Sequence, residues 1–141
     1  IKQTKNPIGY VGSEYAFAQK IPYARVQNQQ GEFVLPSSET ISAAASGVIP
    51  ADTRCSITNS DAVGAYPVST FTWMIIYKEQ NYSERSKEQA EATLDLLKFI
   101  LSDEAQNITS DVHYAPLPAK AKELSMKNLK TVTHDGISVL K

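Results

Sequence analysis

The residues able to do chemistry are few and scattered. His113 and His134 are the only histidines, and no Cys or His stands at ligand spacing from either. A tetrahedral metal site needs three or four such ligands, so no metal is expected. Cys55 is the only cysteine, which rules out an internal disulfide. A catalytic thiol needs an activating base beside it, and nothing in the spacing supplies one. Asp103 and Glu104 are adjacent on an expected helix end, so they point apart and cannot act as a paired acid and base. Ser69-Thr70 fits a structural hydrogen-bonding role, and Trp73 and Tyr77 are expected in the core rather than as a stacking platform. Asn81-Tyr82-Ser83 and Asn107-Ile108-Thr109 match the glycosylation sequon, a pattern met often by chance. P-loop, nucleophile-elbow and dinucleotide fingerprints are all absent. The chain is expected not to be an enzyme and to hold no cofactor.

Composition narrows the partners. Net charge is −1, from 14 basic and 15 acidic side chains, so no strong field steers the chain to nucleic acid or an anionic membrane. The densest basic group, Lys120, Lys122, Lys127 and Lys130, is interleaved with apolar residues at helical spacing and reads as a solvated helix face. At 141 residues, with 42% hydrophobic and 21% charged side chains, the chain has ordinary globular composition. Chains of this length bury about two-thirds of their unfolded surface. No run of apolar residues is long enough to span a membrane. The chain opens Ile1-Lys2-Gln3-Thr4 without an initiator Met, as a processed chain or a piece of a longer one would.

These residues must be positioned by elements of mixed type. Ile8 to Val11 reads as a short strand, and Gly12-Ser13-Glu14 as a turn and cap before a short helix at Tyr15–Ala18. Tyr23–Val26 and Glu32–Leu35 flank a polar loop containing Gly31, a hairpin signal. A capped helix follows from Glu39 to Ala45, with Gly47 expected at C′. Residues 50–66 break every periodicity. Val68 to Tyr77 ends in a nearly continuous apolar run, the pattern of a strand buried on both faces. Ser86 and Gln89 fit a capping box, after which Ala90, Leu94, Leu97 and Leu101 share one helical face. A shorter helix is expected near Asp103–Ile108. Tyr114-Ala115-Pro116-Leu117-Pro118 cannot be helical. A last helix spans about Ala119 to Val132, with Ala121, Leu124 and Leu129 inward, before Asp135-Gly136 turns the tail. The fold class is α/β or α+β.

Four blocks in order resemble the phosphate-binding proteins of phosphate ABC importers, a branch of the type II periplasmic binding proteins. They are Ile8-Gly9-Tyr10-Val11 with Glu14-Tyr15-Ala16, Pro22-Tyr23-Ala24, Ala65-Tyr66-Pro67-Val68-Ser69-Thr70-Phe71-Thr72-Trp73 with Tyr77-Lys78-Glu79-Gln80, and Tyr114-Ala115-Pro116-Leu117-Pro118. Asn6-Pro7 replaces the family's usual Gly-Ala, and residues 47–61 have no counterpart in the resemblance.

The resemblance implies the C-terminal portion of a two-lobed, mixed-sheet fold with flanking helices. Residues 1–65 would belong to the second lobe, and 66–141 would be the return crossing and the end of the first lobe. A hinge would then lie at the long loop, residues 50–66, and Pro67. It also implies phosphate as the full-length protein's ligand, an inner-membrane ABC permease as its partner, and a periplasmic or other extracytoplasmic location, with a lipid anchor as one arrangement. The family's phosphate donors, an Arg and a Gly-Ser-Gly-Thr-Ser-type loop, precede the Ile-Gly-Tyr-Val block. Arg25 and Arg54 lack the family's neighbours, so no ligand-binding residue is expected within this segment and the segment alone is expected not to bind phosphate tightly. Two other readings stay open: a phosphatase-like or sensor relative on the same fold, and a self-associating interaction domain. The apolar surface of a truncated lobe would favour a homodimer or strand exchange.

Overall fold

The computed structural model describes residues 5–140. The element order is α1 (Ser13–Ala18), β1 (Val26–Gln27), β2 (Phe33–Val34), α2 (Ser38–Ala44), α3 (Lys87–Leu101), α4 (Asp103–Asp111), α5 (Ala119–Leu129), β3 (Thr133–His134) and β4 (Ile137–Ser138). Helices and small sheets are mixed, as an α/β segment requires. Among the described residues, however, the sheets are two separate antiparallel ribbons, β1–β2 and β3–β4, rather than one mixed sheet. One isolated parallel bridge pairs Glu79 with Thr133.

Local chemistry explains most of the elements. The Ser86 hydroxyl accepts from the Gln89 amide at 3.3 Å, and the Gln89 side chain accepts from the Ser86 amide at 3.0 Å. That reciprocal capping box satisfies two N-terminal donors of α3. In α2 Ser37 caps with Thr40 as its reciprocal partner. This helix ends on Ala45 as C-cap, with Ser46 Oγ donating to the Ala43 carbonyl at 2.8 Å. The expected Gly47 C′ residue is thus corrected: a hydroxyl satisfies the last turn first. α4 runs to Asp111, one turn beyond its expected end, and α5 stops at Leu129.

The hairpin expected around Gly31 forms with register Val26↔Val34 and Gln27↔Phe33. Its loop is organised by Asn28, whose Oδ1 accepts from the Gln30 and Glu32 amides, each at 3.0 Å. Asp135-Gly136 does more than turn the tail. Both residues have positive φ, 53° and 74°, which joins β3 to β4 as a tight hairpin.

Three apolar clusters hold these pieces. Ala90 and Leu94 of α3 meet Leu129, Val132 and Val139, with Ile76 against them. Ala44, Ala45, Ile57 and Ala65 form a second cluster, and Ile49, Ala121 and Leu124 a third. Phe71 packs on both the second and the third.

Two strand expectations are corrected. Residues 8–11 and 68–77 are not in any ladder, and among the described residues no backbone–backbone hydrogen bond ties 6–11 or 70–77 to another segment. Nor is the second segment buried on both faces: Ile75 is 94% exposed and Met74 60%. Trp73 and Tyr77 are also exposed rather than core. An apolar, β-prone run becomes a strand only where a neighbour offers a matching edge, and none lies alongside here.

Candidate functional site at the 65–80 segment

The segment with the most distinctive sequence is also the one whose polar contacts are densest at its ends and sparsest in its middle. Ala65 is buried, and its carbonyl accepts from Asn28 Nδ2 at 3.3 Å. The Tyr66 amide donates to the Thr40 carbonyl at 2.9 Å, and the Pro67 carbonyl accepts from the Asn59 amide at 2.7 Å. Ser69 is buried, with its hydroxyl donating to the Tyr66 carbonyl at 2.8 Å, and Thr58 Oγ1 donates to the Ser69 carbonyl at 3.1 Å. The structural role expected for Ser69 is what the geometry gives it. Ser69 thereby closes a turn that starts the exposed stretch.

The far end is clasped to the C-terminal hairpin. The Thr133 amide donates to the Lys78 carbonyl at 2.9 Å, and the Gln80 amide donates to the Thr133 carbonyl at 2.7 Å. The Glu79 carboxylate collects four donors: the Asn81 amide at 2.9 Å, Thr133 Oγ1 at 2.8 Å, and the Asp135 and Gly136 amides at 3.0 and 3.1 Å. These bonds, with the Asn81 amide contributing most, draw its pKa from the ordinary 4.5 down to about 2. Paired amides at such a turn are the usual cradle for an anion. Here the protein's own carboxylate fills it, so the hairpin offers no phosphate site.

Other polar groups are distributed in ways that also fall short of an anion site. A cleft of about 340 Å³ beside α2 is lined by Ser56, Thr58, Asn59, Ser60 and Asp61 among others, and no cation lines it. Ser56 and Ser60 use their hydroxyls to accept from the Thr58 and Ala62 amides, a self-bracing loop in the region without a counterpart in the resemblance. Arg25 donates to the Phe33 carbonyl at 3.3 Å, and Arg54 pairs with Asp52 at 3.0 Å on the surface. Asp103 pairs with Lys122, which holds its pKa below the ordinary value through that hydrogen bond and the lysine's charge. It is therefore an anchor between α4 and α5 and faces no partner carboxylate. Lys120 and Lys127 both pair with Glu123, which supports the solvated-face reading of this lysine group.

The two histidines lie apart in function. The His113 ring stacks edge-on against Phe17 at 5.7 Å, while His134 Nε2 contacts the Arg85 carbonyl at 3.0 Å. Among the described residues no group of three His, Cys, Asp or Glu side chains could hold a metal ion. Cys55 is half-buried against the Ile49 cluster. Nor, among the described residues, is any helix long and apolar enough to cross a membrane.

Sequence reasoning passed over Arg85. It stands just before the α3 cap, donates to Tyr82 Oη and the Gln89 carbonyl, each at 2.9 Å, and to Thr93 Oγ1, and lies 5.6 Å from the Tyr82 ring centroid. Its place immediately before the capping box is the signal that could have found it. With those donors committed to neighbours, Arg85 braces the start of α3.

The described residues therefore define a scaffold segment of mixed α/β type: anchored at several points, with an open apolar stretch at its centre. Comparison with known proteins gives that scaffold a relationship. The chain is 34% identical over 121 residues to the phosphate-binding protein PstS of Xylella fastidiosa strain Temecula1, a match covering 84% of this chain and 32% of that protein. It is 30% identical over 146 residues to PstS of Methanocaldococcus jannaschii, covering 94% of this chain and 36% of that protein. With PstS of Haemophilus influenzae the identity is 29% over 143 residues, covering 93% and 39%. No protein-family model matches. The chain is thus a homologue of part of the PstS phosphate-binding proteins, and it spans about a third of the length of the relatives it matches.

Proposed function

We propose that this chain is the C-terminal scaffold portion of the phosphate-binding component of an ABC importer. The similarity to PstS over 84% of the chain carries this reading. The mechanism is passive: the whole protein closes on phosphate outside the cytoplasm, docks on the permease in the inner membrane, and releases its cargo. Residues 1–65 contribute to the second lobe, and 66–141 to the return crossing and the end of the first.

The contact pattern supports a hinge role for the 65–80 segment. A hinge needs a few residues free to change φ and ψ between firmly held ends. Residues 65–69 are tied to α2 and the 58–59 loop, residues 78–80 to the C-terminal hairpin, and the stretch between them has no backbone ladder. The donors that dehydrated phosphate needs, helix N-termini, hydroxyls and a free Arg, are supplied by the rest of the whole protein. No residue of this segment is assigned to the ligand.

The test is transport. A chimaera carrying residues 5–140 in place of the homologous third of the X. fastidiosa protein should restore phosphate uptake to cells lacking their own phosphate-binding protein. A chimaera that folds and is secreted but restores no uptake overturns the reading.

A further inference from the structure

We propose that α1 and the residues just after α4 form a latch between the two lobes, Glu14 and Phe17 on one side and His113 and Tyr114 on the other, that holds the whole protein closed on its ligand. The proposal rests on the lobe assignment given above, which places α1 in the second lobe and the segment after α4 in the first. Phe17 stands between the rings of Tyr23 and His113, edge-on to both, at 5.3 and 5.7 Å. Such edge-to-face pairs attract beyond the area they bury. Glu14 lies three positions before Phe17 and so on the same side of α1. Its carboxylate pushes the pKa of the Tyr114 phenol up, chiefly by its charge and also by accepting the hydroxyl's hydrogen bond. A side chain at Gly12 would displace that carboxylate from where it lies.

The far side of the latch is set by the end of α4. His113 follows the C-cap residue Val112 with a φ of 66°, a left-handed position usually given to glycine because a side chain is disfavoured there. The His113 amide donates to the Ser110 carbonyl at 3.2 Å and the Tyr114 amide to the Thr109 carbonyl at 2.8 Å, the two bonds of a Schellman motif. The turn they fix carries the His113 ring to Phe17 and the Tyr114 hydroxyl to Glu14. A disfavoured backbone conformation thus serves a contact that glycine at 113 could not make.

Elsewhere the halves meet differently. Ile49 is buried with Ala121 and Leu124, and Phe71 of the hinge stretch packs against them, an arrangement suited to a pivot. The α1 contact includes no residue of the 65–80 stretch, and its members are open to solvent: His113 is exposed and Tyr114 is 49% exposed. One ring pair and one charge-assisted hydrogen bond, both half in water, part at low cost, as a contact must that opens to release a ligand. A contact made only in the closed state raises ligand affinity by the factor by which it raises the closed population.

The experiment has two arms. In the 141-residue chain, nuclear Overhauser contacts between the Phe17 and His113 rings should be visible, and their absence would overturn the proposal. In the chimaera with the remaining two-thirds of the X. fastidiosa protein, inorganic phosphate is titrated calorimetrically and its release is followed by stopped flow. Phe17→Ala and Tyr114→Phe should each weaken phosphate binding by about threefold to tenfold, mainly through faster release. Glu14→Gln combined with Tyr114→Phe should lose less than the product of the two single effects, because both remove the same hydrogen bond. Tyr114→Phe deletes a single oxygen and should leave the thermal midpoint of the ligand-free chimaera unchanged, a result that separates a latch from a merely structural contact. Folded variants that bind and release phosphate like the parent chimaera, or that lose affinity only as they lose ligand-free stability, would overturn the latch and leave the lobe reading standing. A folded parent chimaera that binds no phosphate would overturn the lobe reading and the latch with it.

Discussion

Leu94 tests whether the largest apolar cluster organises the C-terminal half. Its side chain is fully buried, and the cluster around it joins α3 to Leu129 at the end of α5, to Val132 and Val139 in the tail, and to Ile76 of the open stretch. Leu94→Ala removes the largest apolar side chain of that cluster among those fully buried. The surrounding groups come from four separate stretches of chain, three of them held by their own backbone hydrogen bonds, so the space cannot collapse easily. The expected cost is then about 3 kcal/mol, inside the usual range for buried leucine truncations. With a urea m-value of about 1.5 kcal/mol per molar, the unfolding midpoint should fall by about 2 M. Leu96→Ala, on the opposite face of α3 at a position 59% exposed, should cost less than about 0.5 kcal/mol. Urea unfolding followed by circular dichroism and tryptophan fluorescence reads both variants. A Leu94→Ala cost below about 1 kcal/mol, or equal costs at 94 and 96, would refute this account of the packing.

Asn28→Ala removes the buried amide that braces the first hairpin and reaches the Ala65 carbonyl, and should cost about 1–3 kcal/mol in the same unfolding assay. Ser86→Ala should cost about 1 kcal/mol and lower α3 helicity, because the Gln89 backbone amide loses its hydroxyl acceptor. Acid should loosen the clasp at Glu79. Its folded pKa lies near 2 and its ordinary value is 4.5, so its contribution is fully present above pH 4.5 and fades as the pH falls toward 2. Thermal melts of the parent and Glu79→Gln across that window should converge at the acid end and differ above it.

The legible parts of the fold share one property: their stabilising partners are close in sequence. α3 was readable because its cap lies three residues from its partner and Ala90, Leu94, Leu97 and Leu101 recur on one face. The β1–β2 hairpin was readable from Gly31 and the flanking β-prone runs, although only Val26–Gln27 and Phe33–Val34 pair. The 68–77 run illustrates the limit. Its composition records a capacity to pair, while pairing itself depends on an edge elsewhere, and the described chain offers none. The Glu79 clasp was illegible for a related reason: Thr133, Asp135 and Gly136 are more than fifty positions away. For the site, the sequence conveyed kinship through Ala65–Trp73 and neighbouring blocks, and the PstS similarity agrees with that kinship. Arg85 was passed over because a lone cation before a helix looks like any surface residue until its acceptors are visible.

The central claim is that the chain is scaffold for a phosphate-binding protein whose phosphate donors lie elsewhere. The most direct measurement is calorimetric titration of phosphate into two samples: the isolated chain, and the chimaera with the remaining two-thirds of the X. fastidiosa protein. The account predicts no measurable heat from the isolated chain and saturable 1:1 binding, micromolar or tighter, from the chimaera. Tight binding by the isolated chain, or a folded chimaera that ignores phosphate, would contradict it.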